Sequence, residues 1–219
     1  MKNKSIEIIN QLKRQTGKQL EKEVIEQVKE TTSILKEQKE ESEKKAVMDE
    51  LTGTFNRRYF ETKLEDELTL AKRFRMKLSL LMIDIDHFKQ INDNFGHQIG
   101  DVVLQETVAV IKNSLSSTDF LCRYGGEEFV AGLPHTAMSD AMSIADELRT
   151  AIWREKFFRG GESGAEEYGS PLRNRYANVT VSIGVASLLK GVDSAPEDMI
   201  TRADQKLYEA KKSGKNRVA

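Results

Sequence analysis

The chain has 219 residues, enough for one ordinary domain plus an appendage. Its 34 basic and 35 acidic residues leave a formal net charge of -1, so no global field draws it onto nucleic acid or an anionic membrane. The single cysteine, Cys122, excludes an internal disulfide, and the polar first residues exclude a signal peptide, so we expect a cytoplasmic protein without a membrane segment.

Residues 1–48 are expected to form a long helical arm. They contain neither proline nor aromatic residues and are dominated by Lys, Glu, Gln and aliphatic side chains. Two heptad registers can be drawn through the arm, and both are only half apolar. One register passes through Leu20, Val24 and Ile34, and the other through Ile25, Val28 and Leu35. Two interpretations stay open: a weak dimerising coiled coil and a solvated helical linker.

Residues 49–219 have the composition of a folded domain, with glycines, aromatic residues and β-branched runs. The pattern predicts helices and strands in alternation, which indicates an α/β or α+β fold with one central mixed sheet. The predicted helices cover 56–76, 88–95, 101–115, 139–157 and 196–212. The predicted strands cover 78–85, 119–124, 127–133 and 179–186, with a long Gly-containing connection over 159–171 to which we assign no function.

The strand over 78–85 leads into two aspartates, Asp84 and Asp86. Two residues apart on a strand, both carboxylates point to the same face, where they concentrate negative charge. This arrangement suits a divalent cation such as Mg²⁺, which binds through one or two carboxylates plus substrate phosphates. The alternative is an ordinary strand end with solvated aspartates.

The predicted hairpin contains Gly125 and Gly126 at its junction, followed by Glu127 and Glu128. Paired glycines predict a tight primed turn, and they leave backbone with no side chain in the way of a ligand. A hairpin with two surface glutamates is common by itself. If it lies beside Asp84 in one sheet, however, the carboxylates converge on a metal site suited to phosphoryl or nucleotidyl transfer.

Six segments in this order resemble the GGDEF domain of diguanylate cyclases, over about residues 49–219. They are Asp49 to Arg58 (DELTGTFNRR), Asp84 to Asp93 (DIDHFKQIND), Gly96 to Asp101 (GHQIGD), Arg123 to Phe129 (RYGGEEF), Val179 to Ala186 (VTVSIGVA), and Ala203-Asp204 with Tyr208 and Lys211. The resemblance implies a palm-like nucleotidyl-cyclase fold, a central mixed sheet flanked by helices. It also implies that two GTP molecules condense into cyclic di-GMP and two pyrophosphates.

The resemblance further assigns roles to single residues. Asp84, Glu127 and the backbone carbonyl of Ile85 are implied ligands of Mg²⁺, with Mn²⁺ as an alternative. Glu127 or its neighbour Glu128 would help to deprotonate the attacking ribose 3′-hydroxyl, and both stay open.

Asn92 and Asp101 are the implied guanine-reading pair, because a carboxylate can accept from the N1 and N2 protons that adenine lacks. Taken alone, Asp101 would be interpreted as a helix cap, since it follows Gly100 and begins an amphipathic run.

Phosphate would be held by backbone N–H groups at Phe88 and Lys89, at a helix start. Gly125 and Gly126 give the substrate room, and Lys211 and Lys215 resemble the cations that meet the triphosphate. The family often has Arg in place of Lys215, and Lys offers a point charge where Arg offers a bidentate fork.

Each such domain holds one GTP, so two domains must face each other in a homodimer, and the arm would bias that pairing. The family's product-inhibition motif Arg-x-x-Asp corresponds here to Ser116-Ser117-Thr118-Asp119, so the arginine is missing and product inhibition is expected to be weak. Two rivals remain: a non-catalytic nucleotide sensor, which would bind GTP without turnover, and a helical interaction protein, which would pair without nucleotide.

Overall fold

The computed structural model describes residues 16, 22, 25–27, 29–36, 38–39, 46–157, 179–189 and 191–219. It divides the chain into two compact units, Met1–Ala46 and Val47–Ala219. The described residues of the first unit are helical and exposed, including Ile25, Ile34 and Leu35. The other heptad positions named above (Leu20, Val24 and Val28) and the 159–171 connection lie outside the described residues. Within the described part, no helix combines the length and hydropathy needed to cross a bilayer.

The second unit is built on a mixed sheet, as predicted. The described strands are β1 Phe55–Asn56, β2 Leu78–Ile85, β3 Phe120–Arg123, β4 Glu128–Pro134 and β5 Val181–Ser187. They lie in the order β1-β3-β4-β2-β5, with β1 parallel to β3 and the other neighbours antiparallel. Because β2 lies between β4 and β5 and is buried at every position, its last residues lie deep inside the sheet.

Helices cover both faces of the sheet. They are α1 Arg57–Phe74, α2 Phe88–Phe95, α3 His97–Ser114, α4 Met138–Arg154 and α5 Pro196–Lys212. Side chains alternate along β2, so Leu81, Ile83 and Ile85 pack in the core with α2, α3 and α4, whereas Leu80 and Met82 pack in the core with α1 and α5. Asp84 continues the second series, which directs its carboxylate toward α5.

Most predicted elements are confirmed, with three corrections. The helix predicted over 101–115 begins earlier, at His97, because Gly96 (φ 86°) ends α2 and α3 follows at once. Gly100 is a poor helix former, yet it lies inside α3. The helix predicted over 139–157 ends earlier, at Arg154. The third correction concerns the hairpin and is described with the site.

Candidate active site

Asp84 is a buried carboxylate at the end of β2, surrounded by other charges. Its Oδ2 lies 2.8 Å from Nζ of Lys211 on α5, and its side chain is 10% exposed. In the sheet register Asp84 lies opposite Glu128, and the N–H of Ile85 donates to the carbonyl of Glu127 at 3.3 Å. Burial raises the pKa of Asp84 to about 6, with Lys211 opposing and the two glutamates adding to the rise.

Asp86 differs from Asp84, although both belong to the same acidic segment. It is 3% exposed. Its Oδ1 accepts from the hydroxyl of Ser182 at 2.7 Å, and its Oδ2 accepts from the hydroxyl of Thr180 at 2.7 Å and from the N–H of Asn216 at 3.0 Å. Asp86, which is not among the predicted metal ligands, is therefore already engaged by three donors of the protein.

The oxygen atoms predicted to bind a metal near Asp84 are too few to hold a divalent cation by themselves. Among the described residues, no group of three or more His, Cys, Asp or Glu could hold a metal ion. The charges of two nearby carboxylates, Glu127 and Glu128, nevertheless raise the pKa of Asp84, and Lys211 is its ion-pair partner. Two carboxylates and a backbone carbonyl are oxygen ligands of the kind that a hard divalent cation takes, with substrate phosphates and water completing its shell.

A cavity of about 390 Å³ lies beside this acidic end. It is lined by Phe88, Lys89, Asn92, Asp93, His97, Asp101, Leu104, Arg123, Gly126 and Glu127. The lining includes both predicted guanine residues, part of the predicted phosphate site and one predicted metal ligand, whereas six predicted site residues lie outside it: Asp84, Ile85, Gly125, Glu128, Lys211 and Lys215. The amide oxygen Oδ1 of Asn92 is buried without a hydrogen-bond partner in the protein, which is uncommon for a buried acceptor.

Asn92 reaches this position because residue 100 has no side chain. A Cβ at Gly100 would overlap Oδ1 of Asn92 and would lie 3.0 Å from its Cγ and 3.2 Å from Cζ of Phe88. Asp101, the next residue, lies inside α3 and lines the cavity with an exposed side chain. Its interpretation as a helix cap is wrong, because the N-cap of α3 is Gly96.

The loop after β2 and the segment after α5 meet near the start of α2. His87 has a left-handed conformation (φ 60°) and precedes Phe88, the first residue of α2. The ammonium of Lys215 lies 3.5 Å from Nδ1 of His87, whereas Lys211 is paired with Asp84. The two predicted phosphate cations thus occupy different places. Lys215 is the one beside the first turn of α2, where Phe88 and Lys89 are predicted to bind phosphate (the phosphate turn).

The hairpin turn between β3 and β4 is wider than predicted. It spans Tyr124 to Glu127, and neither Gly125 nor Gly126 has a positive φ, so the predicted primed turn is wrong. The guanidinium of Arg123 donates to the carbonyl of Gly126 at 3.0 and 2.9 Å, which holds the turn open.

Arg123 is fixed in turn by Asp49, at 3.3 Å. Burial disfavours the charged form of Asp49, but hydrogen bonds from Thr52 and the charge of Arg123 outweigh it and hold the pKa below its ordinary value. The sequence assigned no role to Arg123, His97 or Gly100, although all three lie in the motif segments; only packing reveals what they contact.

The segment that corresponds to the product-inhibition motif forms a closed turn. The N–H of Ser116 donates to Oδ2 of Asp119 at 2.8 Å, and the N–H of Asp119 donates to the carbonyl of Ser116 at 3.2 Å. A hydroxyl therefore stands where the motif has a guanidinium, and the aspartate is engaged by the backbone.

Comparison with known proteins gives a family match over most of the chain. Residues 46–217 match the family described as "Diguanylate cyclase, GGDEF domain". The response regulator PleD of Caulobacter vibrioides is 41% identical over 192 residues, covering 88% of this chain and 40% of the relative. Diguanylate cyclase A of Treponema denticola is 42% identical over 141 residues, covering 64% of this chain and 34% of the relative. The chain therefore spans less than half the length of these relatives.

Solved structures show the same fold. The coiled coil and GGDEF domain of DgcB from Caulobacter crescentus, in complex with c-di-GMP, has a TM-score of 0.78 at 30% identity and covers 91% of this chain and 98% of that one. The active GGEEF domain of a diguanylate cyclase from Vibrio cholerae has a TM-score of 0.65 at 35% identity, covering 75% of this chain and 95% of that one.

Proposed function

The chain belongs to the GGDEF family of diguanylate cyclases, and from this premise we propose that it condenses two GTP molecules into cyclic di-GMP and two pyrophosphates. The observation that carries the proposal is the cavity between Asn92 and Glu127. It joins a buried, unpartnered acceptor suited to a nucleobase to the acidic end of β2, where the reacting phosphate would lie. GTP is a cytoplasmic nucleotide, and this supports a cytoplasmic location.

Guanine would occupy the end of the cavity between α2 and α3. Oδ1 of Asn92 can accept from the N2 amino group, and the carboxylate of Asp101 can accept from N1 and N2. Adenine offers no such donor edge, and a site that leaves its polar groups unpaired rejects the wrong base by up to about 10⁴ to 10⁵. The proposed substrate is therefore GTP in preference to ATP.

The triphosphate would extend from the cavity toward the start of α2. Backbone N–H groups at Phe88 and Lys89 point out of the first turn of this helix and suit phosphate oxygens. Gly125 and Gly126 have no side chains, so they would leave room for the triphosphate on the side opposite α2. The ammonium groups of Lys215 and Lys211 would add positive charge, with Lys211 exchanging its contact with Asp84 for one with phosphate.

Asp84, Glu127 and the Ile85 carbonyl would hold a divalent cation, which we propose to be Mg²⁺, with Mn²⁺ as the alternative. When bound, the cation neutralises charge on the phosphates during transfer. Glu127 or Glu128 would accept the proton of the 3′-hydroxyl. The 3′-oxygen then forms its bond to the α-phosphorus of the second GTP, as the bond from that phosphorus to pyrophosphate breaks.

One domain cannot complete this reaction, because its own 3′-hydroxyl has no α-phosphorus to attack. We propose a symmetric homodimer of face-to-face catalytic domains, each with one GTP, with the arm of residues 1–48 favouring the pairing. The exposed Ile25, Ile34 and Leu35 of the arm support a role in pairing. Holding two bound substrates in register is an effective-concentration effect, which is large for well-oriented reactants.

The decisive experiment is incubation of the purified protein with GTP and Mg²⁺, following cyclic di-GMP by chromatography and mass spectrometry. We expect product from the parent and from Glu147→Ala, which removes an exposed carboxylate on α4, and none from Glu127→Ala. Tight GTP binding by the parent without product at any protein concentration would contradict the proposed reaction and favour a nucleotide sensor.

A further inference from the structure

Asp86 is a buried carboxylate to which the proposed reaction gives no role. Its two oxygens accept three hydrogen bonds, two from hydroxyl groups of Thr180 and Ser182 next to or within β5 and one from the backbone N–H of Asn216. A carboxylate with three donors is strongly fixed, because hydrogen bonds to a charged acceptor are roughly twice as strong as neutral ones. The two hydroxyls orient Asp86, and its third bond points toward the chain after α5.

The turn after α5 needs such an external hold. Gly214, Lys215 and Asn216 have φ values of 113°, 62° and 46°, so two successive residues with side chains lie in the left-handed region. Each such residue is disfavoured and persists only where the surroundings impose it. Besides Asp86, the guanidinium of Arg149 contacts Asn216 through its Oδ1 at 3.1 Å. Within the C-terminal segment the N–H of Lys215 also donates to the carbonyl of Ala210 at 3.2 Å, and Asp86 is a side chain from outside that segment that binds the backbone of the turn.

This turn carries Lys215 to the start of α2. Its ammonium lies 3.5 Å from Nδ1 of His87, one residue after Asp86 in the chain. Asp86 directly precedes His87, and its carboxylate binds the backbone of Asn216, the residue after Lys215. This contact therefore holds Lys215 near the phosphate turn. Asn216, whose backbone Asp86 binds, and Lys215, the cation, are adjacent in the chain.

We propose that Asp86 is a positioning residue for the triphosphate: its carboxylate holds the N–H of Asn216 and thereby fixes Lys215 over the phosphate turn. It touches neither the substrate nor the reacting atoms. The proposal rests on the proposed function, because it takes a guanosine triphosphate as the ligand. It distinguishes Asp86 from Asp84, which we assign to the cation.

Binding of 3′-deoxy-GTP and 3′-deoxy-GMP tests this role, because neither nucleotide has the hydroxyl that reacts. Calorimetry would compare the parent with Asp86→Asn, Lys215→Ala, the double variant, and Asp140→Asn, which changes an exposed aspartate on α4. We expect each single variant to weaken 3′-deoxy-GTP binding about tenfold, the loss of one charge-assisted contact. The double variant should be no weaker than the worse single variant to within about twofold.

The monophosphate separates positioning from a general structural role. Its binding should stay unchanged in Asp86→Asn, because the base pocket between α2 and α3 does not include the turn after α5. Three outcomes would each overturn the proposal. They are equal losses of affinity for the two nucleotides, losses of affinity that multiply in the double variant, and parent-like binding of 3′-deoxy-GTP by Asp86→Asn. Lys215→Arg should retain triphosphate affinity in the parent and fail to restore it in Asp86→Asn.

If Asp86→Asn does not fold, Thr180→Val carries the same test, because it removes the hydroxyl that orients the oxygen bound to Asn216. The same selective loss for the triphosphate is expected, and an unchanged affinity would overturn the proposal. The readout is binding alone. A parent that binds 3′-deoxy-GTP but makes no cyclic di-GMP therefore contradicts the proposed reaction without affecting the role of Asp86.

Discussion

Gly100→Ala offers a sharp test of the base pocket, because two physical effects of this one change oppose each other. In a helix interior alanine is favoured over glycine by about 1 kcal/mol, so α3 itself should be stabilised. The added Cβ, however, would overlap Oδ1 of Asn92 and lie 3.2 Å from Cζ of Phe88. Overpacking of this kind costs about 1–3 kcal/mol, so the free energy of unfolding should fall by no more than about 2 kcal/mol.

The displacement of Asn92 should directly lower the affinity for the guanine nucleotide. If the amide moves aside, its hydrogen bond to the N2 amino group of guanine is lost, and the pocket is partly filled. A hydrogen bond of this kind contributes about 1–1.5 kcal/mol, and obstruction of the pocket adds to it, so GTP affinity should fall about tenfold or more. The preference for guanine, and not stability, is therefore the quantity that tests the role of Asn92.

The assay compares 3′-deoxy-GTP with 3′-deoxy-ITP, which lacks the N2 amino group. The parent should prefer the guanine nucleotide, and Gly100→Ala should lose most of that preference. An exposed helix position such as Ala109→Gly is the matched control, with lower stability and unchanged affinity. Undiminished preference for guanine in Gly100→Ala would refute the assignment of Asn92 to the base.

Three further predictions concern charge, the arm and the product. In the metal-free protein the pKa of Asp84 is raised from 3.8 to about 6, so its stabilising protonated form is lost as pH rises through this window. The free energy of unfolding should fall by up to about 3 kcal/mol over this pH range. Denaturant titrations at several pH values would measure this fall, which should be smaller in Asp84→Asn, and an equal fall in the variant would contradict the assignment. A protein that starts at Met48 should lose activity on dilution more steeply than the full chain, and equal activity at every concentration would exclude a role for the arm in pairing. Cyclic di-GMP should bind weakly in calorimetry and more tightly to Ser116→Arg, whereas submicromolar binding by the parent would contradict the loss of the inhibitory site.

The sequence alone determined the class of the fold and most of its elements. β2, α2 and α5 lie at the predicted ranges 78–85, 88–95 and 196–212, because local periodicity is a short-range property of the sequence. The start of α3 and the hairpin turn were mispredicted for a common reason. Both involve glycines whose role depends on side-chain packing: Gly100 lies inside α3 against the side chain of Asn92, and the carbonyl of Gly126 accepts from the guanidinium of Arg123.

The sequence also indicated which residue types belong to the site, through the motifs that resemble the GGDEF domain. Only the tertiary structure decided how the two aspartates differ: the sheet places Asp84 against Lys211, and β5 with the last residues of the chain saturates Asp86. The separation between these partners, more than 90 positions along the chain for Ser182 and Asp86, is why local pattern could not reveal it. Periodicity assigns a side chain to a face, but hydrogen-bond partners are assigned by the pairing of strands and the docking of the helix and turn that follow.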